Sequence, residues 1–154
     1  MSQPPVPAQP WRSFNMRRIK SRDTSIELAL RRALWRMGVR YRKNDKRLPG
    51  SPDIAITRFR IAVFCDGEFW HGENWEARKP KLQNNRDYWI AKIERNMRRD
   101  LEIDRRLVCL GWTVIRFWGG EIRKNLPSCV EAVREAMFQA QLDAFDDAEP
   151  FDVT

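Results

Sequence analysis

Ile61-Ala62-Val63-Phe64-Cys65 is an apolar run too continuous for a strand that wets one face. It predicts a central strand, buried on both sides. Asp53-Ile54-Ala55-Ile56 just before it is a short β-prone run, and Thr57-Arg58-Phe59-Arg60 between the two supplies a polar turn with one aromatic. The stretch 51–72, SPDIAITRFRIAVFCDGEFWHG, therefore reads as an antiparallel hairpin. Asp53 falls at the start of the first strand, and Asp66 and Glu68 fall just past the end of the second. The three acids are expected to converge at one edge of the sheet. Clustered carboxylates repel one another unless a positive charge sits among them, and an all-oxygen set suits Mg²⁺. His71, the only histidine in the chain, follows three residues after Glu68. For any acid alone, turn closure at Asp66-Gly67 or solvation of Glu68 is a sufficient account; the whole set with His71 points to a site.

With 154 residues the chain has room for one domain and a single core. Lys and Arg number 29 against 21 Asp and Glu, a net charge of +8, and the isoelectric point is near 9.9. Asp143, Asp146, Asp147, Glu149 and Asp152 crowd into the last twelve residues, which contain no base; over residues 1–142 the 29 bases face 16 acids, a balance of +13. A body so basic suits a polyanion, with a solvated basic surface as the plainer alternative. Neither a signal peptide nor an apolar run long enough for a membrane span is present, so a cytoplasmic chain without a membrane partner is expected. Cys65, Cys109 and Cys129 are too few and too dispersed for a zinc motif and cannot all pair. Two of them are flanked by apolar residues and are expected to be buried thiols.

In chain order, residues 1–11 hold four prolines and no periodic pattern, which predicts disorder. Residues 12–22, RSFNMRRIKSR, form a basic arm that can track phosphates, with Phe14 or Met16 touching a groove. A first helix is expected from Ser25 to Met37, with Thr24 and Glu27 as a capping box, Gly38 as the stop, and Ile26, Leu30, Ala33, Leu34 and Met37 as its core stripe. Val39–Arg42 reads as a short strand. Residues 72–86 read as a polar loop placed to close over a substrate. A second helix is expected from Asp87 to Leu110. In it Trp89, Ile93, Met97 and Leu101 mark one face, and Lys92, Asn96 and Asp100 recur at intervals of four on the adjacent one. Asp100 then has the reach to orient the imidazole of His71, while ordinary i,i+4 pairing on a solvated face is the alternative. Thr113–Trp118 is a further strand. Leu126-Pro127-Ser128 opens a last helix, with Ser128 and Glu131 as a second capping box, Val130, Val133, Met137 and Leu142 as its stripe, and a disordered acidic tail from residue 143.

Pro52-Asp53 followed by Asp66-Gly67-Glu68-Phe69-Trp70-His71-Gly72 resembles the core of the very-short-patch-repair (Vsr-like) DNA endonucleases, a branch of the PD-(D/E)XK nucleases. The resemblance also takes in Asn15-Met16-Arg17, Arg22-Asp23-Thr24, Glu27, Leu48-Pro49-Gly50, Trp89, Lys92-Ile93, Asn96, Arg99-Asp100 and Gly111-Trp112, and so spans residues 13–120 in order. It implies a single α/β domain over residues 23–142, with a mixed central β-sheet flanked by helices in the restriction-endonuclease-like manner. It also implies a Mg²⁺-dependent endonuclease that nicks one strand of duplex DNA, with T·G mismatch repair as the expected role.

The site residues follow from the same resemblance. One or two Mg²⁺ ions are expected on Asp53 and the main-chain oxygen of Cys65, with Asp66 and Glu68 as further ligands. His71 is expected to take a proton from water with Asp100 behind it, Glu27 to face the metal, and Lys92 to stabilise the leaving group. Met16, Arg17, Arg18, Lys20, Asn96 and Arg99 are expected on DNA, and Phe69-Trp70 as a wedge in the base stack, although aromatics after a strand are more often core. The chain departs from the family where well-known members hold a structural zinc: Glu68, Glu73, Trp75 and Gly120 stand there, and no zinc is expected. Asp66 stands where some members have His, and Trp70 where the wider group has its lysine. A monomer associated with the nucleoid is expected, with repair or restriction–modification proteins as partners. The other readings are a restriction or phage-defence endonuclease on the same core, and a catalytically silent nucleic-acid-binding subunit.

Overall fold

Ile61–Asp66 is buried on both faces, as its composition requires, in a computed structural model that describes residues 23–148, apart from the side chains of Phe69 and Trp70. The elements run in the order α1 (Ser25–Arg36), β1 (Arg42–Lys43), β2 (Ile54–Ile56), β3 (Ile61–Asp66), α2 (Glu68–His71), α3 (Trp75–Arg78), a 3₁₀ turn at Lys79–Lys81, α4 (Arg86–Cys109), β4 (Thr113–Trp118), α5 (Gly119–Lys124) and α6 (Leu126–Asp146). One four-stranded mixed sheet in the order β1-β2-β3-β4 carries the helices on its two faces. β2 and β3 pair antiparallel, Ile54 opposite Val63 and Ile56 opposite Ile61. β3 and β4 pair parallel, Ile61 opposite Thr113 through Asp66 opposite Trp118, and α4 lies in the crossover between them.

Successive residues of β3 point to opposite faces. Ile61 and Val63 enter the larger core with Leu30 and Leu34 of α1, Ile122 of α5 and Val133 of α6, whereas Ala62 and Phe64 meet Leu107 and Ile103 of α4 and Val114 of β4. That alternation decides where Cys65 and Asp66 go at the end of the strand.

Several local expectations are corrected. Met37 is 45% exposed, because α1 ends at Arg36 and Met37 has left helical geometry before the left-handed Gly38. Glu27 does not close a capping box with Thr24. Its carboxylate accepts from Asp23 N at 2.8 Å and lies beside Arg31, while the buried Thr24 hydroxyl meets no hydrogen-bond partner among the described residues. Val39 packs into the core instead of a strand, and β1 begins at Arg42. The expected loop 72–86 contains α3 and the 3₁₀ turn. They are fastened to α4 through Glu94, whose Oε1 accepts from Trp75 Nε1 at 3.3 Å and Lys79 Nζ at 2.7 Å.

Leu101 is 57% exposed, since an i,i+4 row drifts about 40° per step on an α-helix and stands about 80° from Ile93 after two. Asn125, not Ser128, caps α6, accepting from Ser128 N at 3.3 Å, and Leu142 is 41% exposed. The helix continues to Asp146, past the expected start of the acidic tail, and residues 149–154 lie outside the described residues. Of the cysteines, Cys129 is buried, Cys65 half-buried and Cys109 exposed, because Cys109 occupies the outer face at the end of α4.

Gly72 ends α2 with a left-handed backbone, φ +78°, and a side chain there would collide with the Met97 thioether of α4. Substituting Gly72→Ala is expected to destabilise the fold by about 1–3 kcal/mol through backbone strain and overpacking. Chemical denaturation checks this, and an unchanged midpoint would contradict the close approach.

Candidate active site

Asp66 follows Phe64 by two, so its carboxylate falls on the α4 face of the sheet. Arg116 lies opposite Phe64 on β4 and shares that face with Val114. Its Nη1 donates to both oxygens of Asp66, at 3.0 and 3.2 Å, and its Nε and Nη2 fork onto Asp104 of α4 at 2.9 and 2.7 Å. The guanidinium carbon lies 4.1 Å from the centroid of the Phe64 ring, and Asp100 Oδ1 is 3.9 Å from Nη1. Only four residues separate Asp100 from Asp104, one helical turn on the sheet-facing side of α4.

His71 closes the group from above. Its Nδ1 lies 2.6 Å from Asp100 Oδ2 and 3.7 Å from Asp66 Oδ1. A carboxylate only accepts, so Nδ1 carries the proton toward Asp100 and the lone pair of the neutral ring is on Nε2. Burial alone lowers the imidazole pKa, but the hydrogen bond to Asp100 and the charges of Asp66 and Asp100 outweigh burial and the opposing Arg116, leaving His71 above its ordinary value. Burial raises the Asp66 carboxyl, with His71 and Arg116 pulling it back. One ligand atom from each of Asp66, His71 and Asp100 lies within 4.8 Å of the others.

Asp53 occupies the other half of the strand end. Its Oδ2 accepts from Cys65 N at 2.7 Å, which ties the start of β2 to the end of β3. Arg31 donates to the main-chain oxygen of Asp53 at 3.0 Å, to Asp23 Oδ1 at 2.6 Å and to Glu27 Oε2 at 3.3 Å. Burial carries the Asp53 carboxyl to about 6; the Cys65 amide and Arg31 act against this, and the charges of Glu27 and Asp66 add to it. Burial beside Asp53 and Glu27 likewise pushes the Cys65 thiol far up, which keeps it protonated.

The expected convergence of three acids is therefore corrected. Asp53 is bound to the Cys65 amide and Asp66 to Arg116, and Glu68 is turned away to the start of α5. There it accepts from Gly120 N and lies 3.2 Å from Arg123 Nη2, because the free amides at a helix start and a neighbouring cation draw its charge. Asp100 lies about 20° from Ile93 on α4, in the middle of the inward stripe and not on an adjacent solvated face. Lys92 is about 80° and about 12 Å along the axis from Asp100, and its ammonium lies 5.8 and 5.9 Å from the Trp89 and Tyr88 rings. Asn96 is half-buried and Arg99 exposed on the same helix. Met16, Arg17, Arg18 and Lys20, and the side chains of Phe69 and Trp70, lie outside the described residues. Arg31, Arg116 and Asp104 were not anticipated. Arg116 had a signal, being the one charge within the strand TVIRFW, and Arg31 stands one helical turn after Glu27.

The family described as DNA mismatch endonuclease Vsr matches residues 6–77. The type II nicking enzyme V.NmeDIP of Neisseria meningitidis serogroup C is 51% identical over 122 residues, 79% of this chain and 82% of that protein. The type II nicking enzyme V.HpaIIP of Haemophilus parainfluenzae is 43% identical over 78% of this chain and 85% of its own length. The DNA mismatch endonuclease Vsr of Escherichia coli K12 is 36% identical over 82% of this chain and 80% of its own. Relatives this similar over most of both lengths, with a histidine–carboxylate pair and a half-buried aspartate tied to the end of the central strand, show that the chain belongs to the Vsr family of DNA endonucleases.

Proposed function

We propose that this chain is a Mg²⁺-dependent endonuclease that nicks one strand of duplex DNA, with a T·G mismatch as its target. The observation that carries the reading is the 2.6 Å pairing of His71 Nδ1 with Asp100, at the same strand end as the half-buried Asp53 carboxylate. Two relatives are named as nicking enzymes and one as a mismatch endonuclease. Nicking of one strand suits a single site in one chain.

Asp100 fixes the tautomer of His71, so Nε2 accepts the proton of the attacking water, and the carboxylate offsets the charge the ring then gains. Arg116 holds Asp66 beside the ring. The exposed arginines of α4, Arg95, Arg98, Arg99, Arg105 and Arg106, together with the basic arm 12–22, meet the phosphates. Phe69-Trp70, directly before His71, supplies the wedge that finds a weakly stacked pair.

A hard divalent cation fits the Asp53 half. Asp53 and Glu27 crowd negative charge into a buried place, and Arg31 gives two of its donors to the main-chain oxygen of Asp53, leaving the Asp53 carboxylate to the Cys65 amide. Asp53 and the main-chain oxygen of Cys65 would hold Mg²⁺, which would supply charge neutralisation to the scissile phosphate and its leaving oxygen.

The raised Asp53 pKa has a consequence for stability. A carboxyl carried from 3.8 to about 6 binds its proton more tightly in the native state, so this group makes stability fall as pH rises from about 4 to 6. At pH 8 Asp53→Asn is expected to be more stable than the wild type by up to about 3 kcal/mol, a gain that disappears below pH 4. Mg²⁺ is expected to stabilise the wild type and not the variant. Denaturation at the two pH values checks both; a variant no more stable than the wild type at pH 8 would count against an uncompensated charge.

Incubation with supercoiled plasmid and Mg²⁺ is expected to give nicked circles from the wild type, with His71→Ala and Asp53→Ala each slower by about 100-fold or more. A duplex with one T·G pair is expected to be nicked faster than its matched form. Linear product would sink single-strand nicking, and equal rates on the two duplexes would remove the mismatch preference. Because His71 titrates above 6.5, activity is expected to rise with pH through a midpoint above that value. Asp100 is one of the groups that raise it, so Asp100→Asn is expected to lower the plateau and move the acid limb to lower pH. A limb that stays in place would show that His71 is not the group titrating.

A further inference from the structure

Asp66, His71 and Asp100 bring three ligand atoms within 4.8 Å of one another, which by distance alone is a place for a metal ion. The place already has a cation beside it. Arg116 Nη1 lies 3.0 and 3.2 Å from the two oxygens of Asp66 and 3.9 Å from Asp100 Oδ1, with Nε and Nη2 anchored on Asp104. The Phe64 ring closes the guanidinium from one side at 4.1 Å, and the side chain is only 20% exposed. Arginine keeps its charge at every accessible pH, and with its fork fixed on Asp104 its Nη1 is aimed at both Asp66 oxygens. A divalent ion on the same ligands would have to displace donors from Asp66 and then sit beside a fixed positive charge.

We propose that Arg116 is a positioning residue that acts as the resident cation of this half of the site. It holds Asp66 and Asp100 in place for His71 and excludes a divalent ion from the Asp66–His71–Asp100 group, so that metal binds at Asp53 alone. The inference rests on the metal-dependent reading above and confines the metal held by the DNA-free protein to the Asp53 half. The location of Arg116 follows from parallel pairing: opposite Phe64 on β4, it is two residues short of the position opposite Asp66, within diagonal reach on the same face.

Mn²⁺ serves as the probe, its bound stoichiometry counted by electron paramagnetic resonance on the DNA-free protein. The wild type is expected to bind one ion, Asp53→Asn none, and Asp66→Asn still one. Arg116→Met is expected to bind a second ion, which Arg116→Met with Asp66→Asn loses again, and Arg116→Lys is expected to bind as the wild type does. A second ion in the wild type, loss of binding in Asp66→Asn, or no gain in a folded Arg116→Met overturns the proposal. Circular dichroism reports folding of each variant. If Arg116→Met does not fold, the contrast between Asp53→Asn and Asp66→Asn decides alone: retention in the latter and loss in the former supports the assignment, and the reverse overturns it. Nicking of a duplex carrying one T·G pair, by the same wild-type preparation with Mg²⁺, separates the two readings. The expected Mn²⁺ pattern without cleavage refutes the proposed function and keeps the role of Arg116; cleavage with an Asp66-dependent ion does the opposite.

Discussion

The pleat of β3 is the constraint on which the site depends. A strand buried on both faces sends consecutive residues to opposite sides of the sheet, and β3 does not stop doing so when its residues become functional. Phe64 and Asp66 therefore face α4, where a carboxylate meets Arg116, Asp100 and His71. Cys65, between them, presents its amide to Asp53. One strand end thus supplies two chemically different compartments: a guanidinium holds Asp66, and a main-chain amide in the plane of the sheet holds Asp53.

Each compartment is balanced by one guanidinium. Arg31, with a side chain 4% exposed, joins Asp23, Glu27 and the main-chain oxygen of Asp53, and so ties α1 to the start of β2. Arg116 joins Asp66 to Asp104, and so ties β3 and β4 to α4. Buried acids without partners would repel one another and raise the cost of folding; the planar fork of arginine satisfies two at once and fixes their geometry. The balance is uneven. Asp66 has a guanidinium against both its oxygens, while the Asp53 carboxylate has an amide and remains near 6. The compartment left short of positive charge is the one suited to a metal.

Much of this was legible from residues alone. The apolar run 61–65 declared a central strand, the turn 57–60 declared its antiparallel partner, and the motif from Asp66 to Gly72 carried both the resemblance and the histidine. The pairing of His71 with Asp100 was anticipated, though from the wrong face of the helix. Spacing of four was treated as a straight line, and on a 24-residue helix that line turns far enough to carry Lys92 away and bring Asp100 inward. Arg31 and Arg116 were missed for a different reason. Which acids a buried base will join depends on strands and helices far apart in sequence: Arg116 meets Asp66 across 50 residues. Glu68 was misjudged similarly, since its partner at Gly120 exists only once α5 begins there.

The four-residue helix α2 shows how recognition and chemistry can share one element. Glu68 at its start is bound to the amide of Gly120 and to Arg123, and His71 at its end is bound to Asp100, with Gly72 pressed against Met97. Phe69 and Trp70 occupy the two positions between these anchors. On the proposed function, aromatic insertion beside a mismatch acts on the same turn of backbone that holds the general base. A helix fixed at both ends has little freedom to absorb that load elsewhere, so the fit of the wedge in the base stack sets the position of His71 against the scissile phosphate. Discrimination would then enter through the alignment of proton transfer, which is sensitive to displacements of an ångström, and would require few contacts to base edges.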